Sequence, residues 1–150
     1  MINFKIVKDH FREHPGLTII LPKRSTKFSA GYDFFNPIDI IIQPQQSYFC
    51  WTDIKVKLKS NQFLQIVPRS SIGIKKKLML MNTVGIIDSD YFENTDNDGN
   101  ICFAFYNYGN VFVELKQGDK IGQGIILNYN IVDNDISDKE RIGGLGSTNI

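Results

Sequence analysis

Asp88 is the side chain of this sequence best suited to catalysis, because of the residues around it in the run 82–91. The run opens on the side-chain amide of Asn82, continues through a glycine and two isoleucines at 85–87, and closes on the ring of Tyr91. An amide can read the polar edge of a base, a flat ring can pack on a sugar, and an ionised carboxylate can orient and activate a water. This order of residues suits a site that holds a nucleoside and directs a water at its phosphate chain.

Four further blocks place polar groups where the chain is expected to turn and expose its backbone. They occupy residues 30–34, 68–73, 118–123 and 141–150. In the second block, Arg69, Ser70 and Ser71 bring a forked cation and two hydroxyls together directly after a strand-like stretch. Such groups bind phosphate oxygens. Each block alone is also typical of an ordinary turn, so it is their combination that indicates a phosphate site.

The remaining blocks supply single polar groups and a glycine-rich segment. Gly31 permits a tight backbone beside Asp33, whose carboxylate can hold a ligand or a hydrogen bond, and Gln123 follows a tight turn that feeds a strand. The block that begins at Arg141 adds glycines, a serine and a threonine. That composition suits a segment that folds over phosphates, although a frayed terminus is the ordinary interpretation of such a tail.

The elements that must position these blocks are short β-strands. The run 54–59 alternates apolar residues with lysines, as a half-buried strand does, and no window of helix length shows a sustained 3.6-residue period. We expect Asp88 to lie inside the turn that follows a strand ending at Met81. The pattern predicts an all-β fold, a sandwich or barrel of jelly-roll type. The predicted strands cover 17–21, 38–42, 54–59, 63–67, 78–81, 101–106, 111–115 and 124–127.

The composition indicates one globular domain without a bulk preference for a charged partner. A chain of 150 residues can bury a core, and a net charge of +1 favours neither nucleic-acid nor membrane binding. From about residue 132 the chain becomes polar, acidic and then glycine-rich. We therefore expect a β-barrel domain at 1–131 and a flexible arm at 132–150 that closes over the active site.

The cysteines and the N-terminus indicate the compartment. Cys50 and Cys102 lie in apolar runs, with no C-x-x-C pair and no nearby histidine, so buried free thiols are expected and a zinc site is not. The first residues lack the apolar stretch of a signal peptide, and no apolar run approaches the ~18 residues of a membrane span. We therefore expect a cytoplasmic protein.

Taken together, in this order and at about this spacing, the five blocks resemble the five motifs of the trimeric deoxyuridine triphosphatases (dUTPases). The resemblance runs from Ala30 to Thr148, nearly the whole chain. It implies a jelly-roll β-barrel of the dUTPase-like β-clip type and a homotrimer with sites at the subunit interfaces. It also implies a mobile C-terminal arm and hydrolysis of the substrate dUTP to dUMP and pyrophosphate, with Mg²⁺ as the cofactor.

The resemblance also assigns roles to individual residues. Asp88 matches the acid that orients and deprotonates the water attacking the α-phosphorus, and Asp33 matches an acid near the water shell of the Mg²⁺ ion. Tyr91 matches the ring that packs on the deoxyribose. Asn82 matches the amide that reads the uracil edge, together with the backbone groups of Ile86 and Ile87. Residues that match phosphate-binding or nucleotide-covering groups are Arg69, Ser70 and Ser71 of a neighbouring subunit, Gln123, and the arm residues Arg141, Leu145, Gly146, Ser147 and Thr148.

The chain departs from the family pattern at three places. Leu145 stands where the arm usually carries an aromatic ring that stacks on the uracil, so weaker stacking is expected. Lys120 replaces the usual arginine of the fourth motif, which removes a bidentate fork. The acidic segment 92–99 is longer than the family's turn, and it is either a tolerated surface insertion or a functional loop.

Two other functions remain open at this point. The related dCTP deaminases carry a catalytic glutamate where this chain has Ala104, and a methyl group cannot move protons, so deamination is the weaker alternative. A regulatory or binding module would keep the fold and act through an unknown protein partner. Its contact surface would then be the acidic segment 94–98.

Overall fold

The computed structural model describes residues 1–139 and 141–145, and within these ranges the chain is almost entirely β-structure. The short helical turns are the 3-10 turns Asp9–Phe11 and Ser89–Tyr91 and the π-helical turn Ser71–Lys75. The strands are β1 Asn3–Ile6, β2 Tyr32–Phe35, β3 Ile40–Ile42, β4 Ser47–Trp51, β5 Ile54–Lys57, β6 Gln62–Pro68, β7 Leu78–Leu80, β8 Gly85–Asp88, β9 Cys102–Asn107, β10 Val113–Leu115 and β11 Lys120–Asn128.

All strand pairs in the described residues are antiparallel, and each joins strands that are not consecutive in the sequence. The largest sheet has the order β2-β11-β6-β8, and a second sheet has the order β4-β9-β7. Two smaller pairs, β1-β5 and β10-β3, complete the described sheets. These eleven strands, with only three short helical turns in the described residues, confirm the predicted all-β class.

The core lies between the sheets and is built from alternate residues of each strand. Along β9 the side chains alternate between half-buried and buried, so one face of the strand packs inward. Phe103 and Phe34 are fully buried, and their ring centroids are 5.3 Å apart. A side chain at Gly122 of β11 would run into the ring of Phe103. A glycine at that position therefore lets β11 lie close against the aromatic core.

The predicted strand at 17–21 is wrong, because that segment pairs with no strand in the described part of the chain. It begins after Gly16, whose φ is +85°, and ends before Pro22, which has no backbone N–H to offer a ladder. Leu17, Ile20 and Leu21 stay exposed. Each of the other predicted runs overlaps a strand: four strands are one or two residues shorter than predicted, two are longer, and one is shifted by one residue.

Asp88 does not lie in a turn, as we expected, but is the last residue of β8. The turn comes earlier, at 81–84, where Thr83 takes a φ of +67°. Strand β8 has only four residues, too few to show a period in the sequence. Strand β2 escaped prediction for another reason, because three of its four residues are buried and the polar alternation is lost.

The acidic segment 92–99 is not a loose surface insertion, because its base is buried. Lys55 Nζ lies 2.7 Å from Asp98 Oδ2 and 3.2 Å from Glu93 Oε1, and the side chains of Lys55 and Asp98 are almost completely buried. The Lys55 ammonium also lies 5.0 Å from the centroid of the Phe92 ring.

Within the described ranges, no helix has the length and apolar character of a membrane span.

The buried pair between Asp98 and Lys55 predicts a pH-dependent contribution to stability. Burial alone would raise the pKa of Asp98, but hydrogen bonds from Lys55 and from the Lys8 N–H, with the charges of both lysines, outweigh it and lower the pKa. A carboxylate with a lowered pKa stabilises the fold above its unfolded value and loses that contribution as the pH falls through the folded value. The Asp98→Asn variant should therefore lose about 3 kcal/mol of unfolding free energy at neutral pH.

Chemical denaturation across pH measures this effect. The difference between wild type and Asp98→Asn should be constant near neutrality and shrink progressively below about pH 4. The matched control is Asp133→Asn, which removes an exposed carboxylate and should change little. A difference for Asp98→Asn that stays the same down to about pH 2 would contradict the assignment of its contribution to the ionised pair.

Candidate functional site

Asp88 stands at the end of an edge strand, where its carboxylate is half exposed. Strand β8 is the last strand of the β2-β11-β6-β8 sheet, and Asp88 lies opposite Phe63 of β6. The 3-10 turn Ser89–Tyr91 follows directly and carries Asp90 and Tyr91 onto the same side of the molecule. An acid at this position is accessible to water while its backbone is fixed by the sheet.

Arg141 joins the two acids of this face and covers the tyrosine ring. Its Nη2 lies 2.8 Å from Asp88 Oδ2, and its Nε lies 2.9 Å from Asp90 Oδ1. Its Cζ is 5.6 Å from the centroid of the Tyr91 ring, and its side chain is only 10% exposed. The C-terminal segment thus places a guanidinium on the predicted catalytic acid of the same chain.

Two hydrogen bonds fix the Tyr91 hydroxyl in the interior of the protein. The hydroxyl donates to the Asn100 carbonyl at 2.9 Å and accepts from Asn97 Nδ2 at 2.7 Å. The residue is 6% exposed, and burial raises the pKa of the Tyr91 hydroxyl, so the phenol stays neutral. The ring is therefore a fixed surface beside Asp88 rather than a mobile side chain.

The residues predicted to read a base lie along β8 and the turn before it. Asn82 is exposed in that turn, and its amide nitrogen would lie 3.9 Å from a Cβ placed on Gly85. Ile86 is half exposed, while Ile87 packs its side chain on the core. One backbone edge of β8 has no strand beside it in the described sheet, which leaves N–H and C=O groups for a ligand.

A second group of predicted residues surrounds Asp33 on β2. Lys120 Nζ lies 2.8 Å from Asp33 Oδ2, Arg69 Nε lies 3.5 Å from Oδ1, and the Ser25 hydroxyl donates to Oδ2. Burial alone would raise the pKa of Asp33, but these hydrogen bonds and cations outweigh it and lower the pKa. Asp33 is thus an ionised anchor that holds the Arg69 guanidinium in place.

Lys120 and Ser25 belong to this group, although the sequence did not assign them a role in the site. The Lys120 ammonium also donates to the Ser25 hydroxyl at 2.7 Å. Lys120 was noted as a departure from the family pattern, and its position three residues before Gln123 in the same block is the signal that could have placed it here. No comparable signal marks Ser25, which reaches Asp33 through an irregular segment of the chain.

Gln123 lies beside the same acid, because β11 and β2 pair Gln123 with Asp33. Its side chain packs directly against Gly31, where a Cβ would collide with the Gln123 amide oxygen. From the sequence, we expected Gly31 to permit a tight backbone. In the structure, the lack of a side chain at Gly31 also leaves room for the Gln123 amide.

Ser70 and Ser71 are exposed at the start of the π-helical turn that follows Arg69. The Ser70 hydroxyl makes no capping hydrogen bond there, while the Ile72 and Gly73 N–H groups donate to the Arg69 carbonyl. Two exposed hydroxyls beside a guanidinium suit the oxygens of a phosphate.

The β-register separates the two groups within one chain. Asp88 pairs with Phe63 near the start of β6, whereas Arg69 follows Pro68 at its other end. Six residues of extended chain span about 20 Å. One copy of the chain therefore brings Asp88, Tyr91 and Arg141 together, but does not bring Arg69 and the serines to the same place.

The remaining predicted site residues lie in the C-terminal segment, and Ala104 bears on the deaminase alternative. Leu145 is described and is 65% exposed. Gly146, Ser147 and Thr148 lie outside the described residues. Ala104 lies in the middle of β9 opposite Phe49, so the strand carries a methyl group where a deaminase would need its glutamate.

The donor set around Asp33 does not fit direct binding of a metal ion. Both carboxylate oxygens already face Lys120, Arg69 or Ser25, and the described residues contain no cluster of three or more histidine, cysteine or acidic side chains that could hold a metal. The anionic state of Asp33 does fit a more distant role, as an acceptor for a water of a Mg²⁺ ion that the ligand carries.

Comparisons with known proteins agree on one family. The family model described as dUTPase matches residues 18–148. The deoxyuridine 5'-triphosphate nucleotidohydrolase of Lactococcus lactis is 36% identical over 132 residues, covering 87% of this chain and 88% of the relative. The crystal structure of dUTPase from Streptococcus mutans has a TM-score of 0.78 at 31% identity and covers 87% of this chain and 98% of that one.

A more distant neighbour supports the fold alone. The structure of a mutant dUTPase from phage phi11 of S. aureus has a TM-score of 0.72 at 18% identity, with 93% of this chain and 97% of that chain covered. That structure is described as showing the coordination of a structural Mg(II) ion.

The contact between Gly31 and Gln123 can be tested without any assumption about activity. In Gly31→Ala the new methyl group must displace the Gln123 amide, which we expect to cost about 1–3 kcal/mol and to shift the NMR resonances of that side-chain amide. The control is Gly73→Ala, because a Cβ there meets only the Leu78 carbonyl at 3.7 Å. Unchanged Gln123 resonances in Gly31→Ala would show that the amide does not pack where the structure places it.

Proposed function

The chain belongs to the dUTPase family, and we propose that β8 and the turn after it form the site where this dUTP diphosphatase works. The reaction converts dUTP and water to dUMP and pyrophosphate. The observation that carries the location of the site is the half-exposed Asp88 carboxylate at the end of β8, beside Tyr91 and 2.8 Å from the arginine of the C-terminal segment.

Asp88 acts as the general base. Its carboxylate orients a water in line with the bond between the α-phosphorus and the bridging oxygen of pyrophosphate. The water oxygen bonds to phosphorus, its proton passes to Asp88, and the bridging oxygen leaves with the pyrophosphate. Because β8 fixes the Asp88 backbone, only the side-chain torsions of the acid need to be set by the substrate.

The nucleoside end of the substrate lies along β8. We place the uracil against the free backbone edge at Ile86 and Ile87, with the Asn82 amide completing its carbonyl–NH–carbonyl pattern. A cytosine would leave buried polar groups unpaired in this arrangement, which makes its rejection strong. The fixed ring of Tyr91 packs on the deoxyribose and leaves no room for a 2′-hydroxyl.

The phosphate end requires a second copy of the chain. Arg69, Ser70 and Ser71 lie about 20 Å along β6 from the position of Asp88, so they reach the phosphates of a nucleotide only from a neighbouring subunit. Gln123 lies with them because Asp33 anchors Arg69 and pairs with Gln123. We propose a homotrimer, the smallest closed ring in which each copy completes the site of the next in one direction.

The C-terminal arm, residues 132–150, covers the bound nucleotide and leaves 1–131 as the β-barrel domain. Binding of the sugar on Tyr91 displaces Arg141 from the ring, and the phosphates then offer the guanidinium stronger anionic partners. Leu145 covers the uracil, and Gly146, Ser147 and Thr148 supply close backbone groups and hydroxyls. Closure removes water from around the phosphates and strengthens each of these contacts.

Magnesium enters with the substrate in this proposal. Bound Mg²⁺ supplies positive charge that offsets the charge of the phosphate oxygens. Asp33 accepts a hydrogen bond from one of its waters and makes no direct bond to the ion.

The chemistry of the chain disfavours the two alternatives. Ala104 offers no group that could move a proton in a deamination. A binding module would have no need of Asp88 and the phosphate-binding residues together. A cytoplasmic location is proposed because Cys50 and Cys102 are both free thiols, which suits a reducing compartment.

The role of Asp88 predicts a large loss of turnover with little loss of binding. In Asp88→Asn we expect pyrophosphate release from dUTP to fall about 10²–10⁴-fold. Wild-type protein should release far less pyrophosphate from UTP, dCTP and dTTP than from dUTP. The control for Asp88→Asn is Asp133→Asn, because Asp133 is an exposed acid near the start of the arm and has no proposed role in the site. Equal turnover of UTP and dUTP would show that Tyr91 does not contact the sugar.

A mixing experiment tests whether the site spans two copies. Asp88→Asn protein retains Arg69, and Arg69→Ala protein retains Asp88, so a mixed trimer contains some sites with both wild-type residues. After joint refolding in equal amounts, about a quarter of the sites should be intact on random assembly, and activity should return to that level. Mixing Asp88→Asn with Asp88→Ala is the control that cannot restore a site. A mixture no more active than its separate components would contradict the shared site.

A further inference from the structure

The acidic loop, residues 92–99, carries two contacts to the C-terminal segment that the five motifs do not explain. The Thr95 hydroxyl donates to the Ile142 carbonyl at 2.7 Å, and Asp96 Oδ2 accepts from the Gly144 N–H at 2.7 Å. We propose that this loop is a docking site for the chain's own arm and that Thr95 and Asp96 are positioning residues for arm closure. The inference deepens the proposed function and rests on it for its catalytic consequence.

The loop is rigid enough to serve as a docking site, because its base is fixed to the barrel. Asp98 is held by Lys55 Nζ and by the Lys8 N–H, both of which reach its Oδ2 within 2.8 Å. Asn94 Oδ1 accepts from the N–H groups of Asp96 and Asn97, so the tip of the loop has a defined shape. The side chains of Thr95 and Asp96 project from a fixed frame.

The fit between loop and arm is close at Gly144. A Cβ at that position would lie 3.1 Å from Asn97 Nδ2 and 3.5 Å from the Asp96 Cβ, which is tighter than ordinary packing on the Asn97 side. The same Asn97 amide donates to the Tyr91 hydroxyl at 2.7 Å. One asparagine therefore touches both the docked arm and the residue proposed to hold the sugar.

Docking on the loop also sets the position of Arg141. The contacts at Ile142 and Gly144 fix the backbone on either side of Gly143, and Arg141 immediately before them reaches Asp88 and Asp90. The Arg141 guanidinium donates further to the Gly144 carbonyl at 3.3 Å. The loop thus holds the arm beside the catalytic acid before any nucleotide binds, which lowers the entropy lost on closure.

These contacts favour the chain's own arm over a partner protein as the occupant of the loop. Thr95 and Asp96 at the loop tip already bond the arm backbone, whereas the buried Asp98 and Asn94 bond Lys55 and the Tyr91 carbonyl. A partner protein would have to displace the arm to reach the same groups.

Limited digestion with an arginine-specific protease, which does not cleave at the exposed Lys139 before the docked residues, measures docking in the protein without nucleotide. Arg141 is 10% exposed when docked, so release of the peptide 142–150 requires the arm to leave the loop. We expect Asp96→Ala and Thr95→Val each to accelerate this release about tenfold, the effect of losing one buried or charge-assisted hydrogen bond. Mass spectrometry identifies the peptide.

Two matched variants control for charge and for shape. Thr95→Ser keeps the hydroxyl that bonds Ile142 and should retain the wild-type rate of release. Glu93→Gln removes the same charge from the same loop as Asp96→Ala but contacts Lys55 rather than the arm, and it should also remain near the wild-type rate. Release at the wild-type rate from both Asp96→Ala and Thr95→Val would overturn the docking site, whatever the enzyme's activity.

Steady-state kinetics then separate docking from its catalytic use. Weaker docking reduces the fraction of arms that are docked on the acidic loop before dUTP binds. Asp96→Ala and Thr95→Val should therefore raise KM for dUTP by up to about tenfold while kcat stays within about twofold. Faster release with an unchanged KM would overturn the role in closure. Absence of dUTP hydrolysis in the wild-type protein would instead refute the proposed function, and the digestion result would stand independently of it.

Discussion

The antiparallel register between β6 and β8 is the constraint on which the rest of the site depends. It pairs Phe63 with Asp88 and leaves Arg69 beyond the far end of β6, so the proposed base and the proposed phosphate-binding residue lie about 20 Å apart in one chain. A shift of this pairing by one residue would turn β8 over and bury the Asp88 side chain against the sheet. The same register that presents Asp88 to water therefore obliges the protein to complete its site with another copy, and this links the fold directly to the proposed trimer.

The carboxylates of Asp33 and Asp88 have different surroundings, and we propose different roles for them. Asp33 is nearly buried among Lys120, Arg69 and Ser25, so its charge is used to hold cations in position. Asp88 is half exposed at a strand end and pairs with Arg141 of the C-terminal segment. A substrate rich in phosphate charge can draw that arginine away and leave Asp88 with a water, whereas Asp33 keeps its partners. The acidic loop adds a third element, since it holds the arm in reach of Asp88 and is itself fixed by the buried pair of Lys55 and Asp98.

Alternation and turn residues allowed the sequence to predict the all-β class, which the structure confirms. The roles of Asp88, Tyr91 and Arg69 follow from residue type and from the resemblance to the family, and they stay predictions. The strand at 17–21 was wrong because an apolar run between Gly16 and Pro22 found no partner. The ties of Lys120 and Ser25 to Asp33 depend on strand register, and the docking of the arm depends on side chains about fifty residues earlier. Such contacts leave no local period or spacing in a sequence.

A crystal structure with a dUTP analogue that carries an imido group between the α- and β-phosphorus atoms tests the central claim most directly. We expect a water within about 2.6–3.2 Å of the Asp88 carboxylate and in line with the bond from the α-phosphorus to the imido nitrogen. We also expect the arginine on the phosphates to be Arg69 of a different copy from the one that supplies Asp88. A carboxylate turned away from any in-line water, or Arg69 and Asp88 of one chain on the same nucleotide, would contradict it.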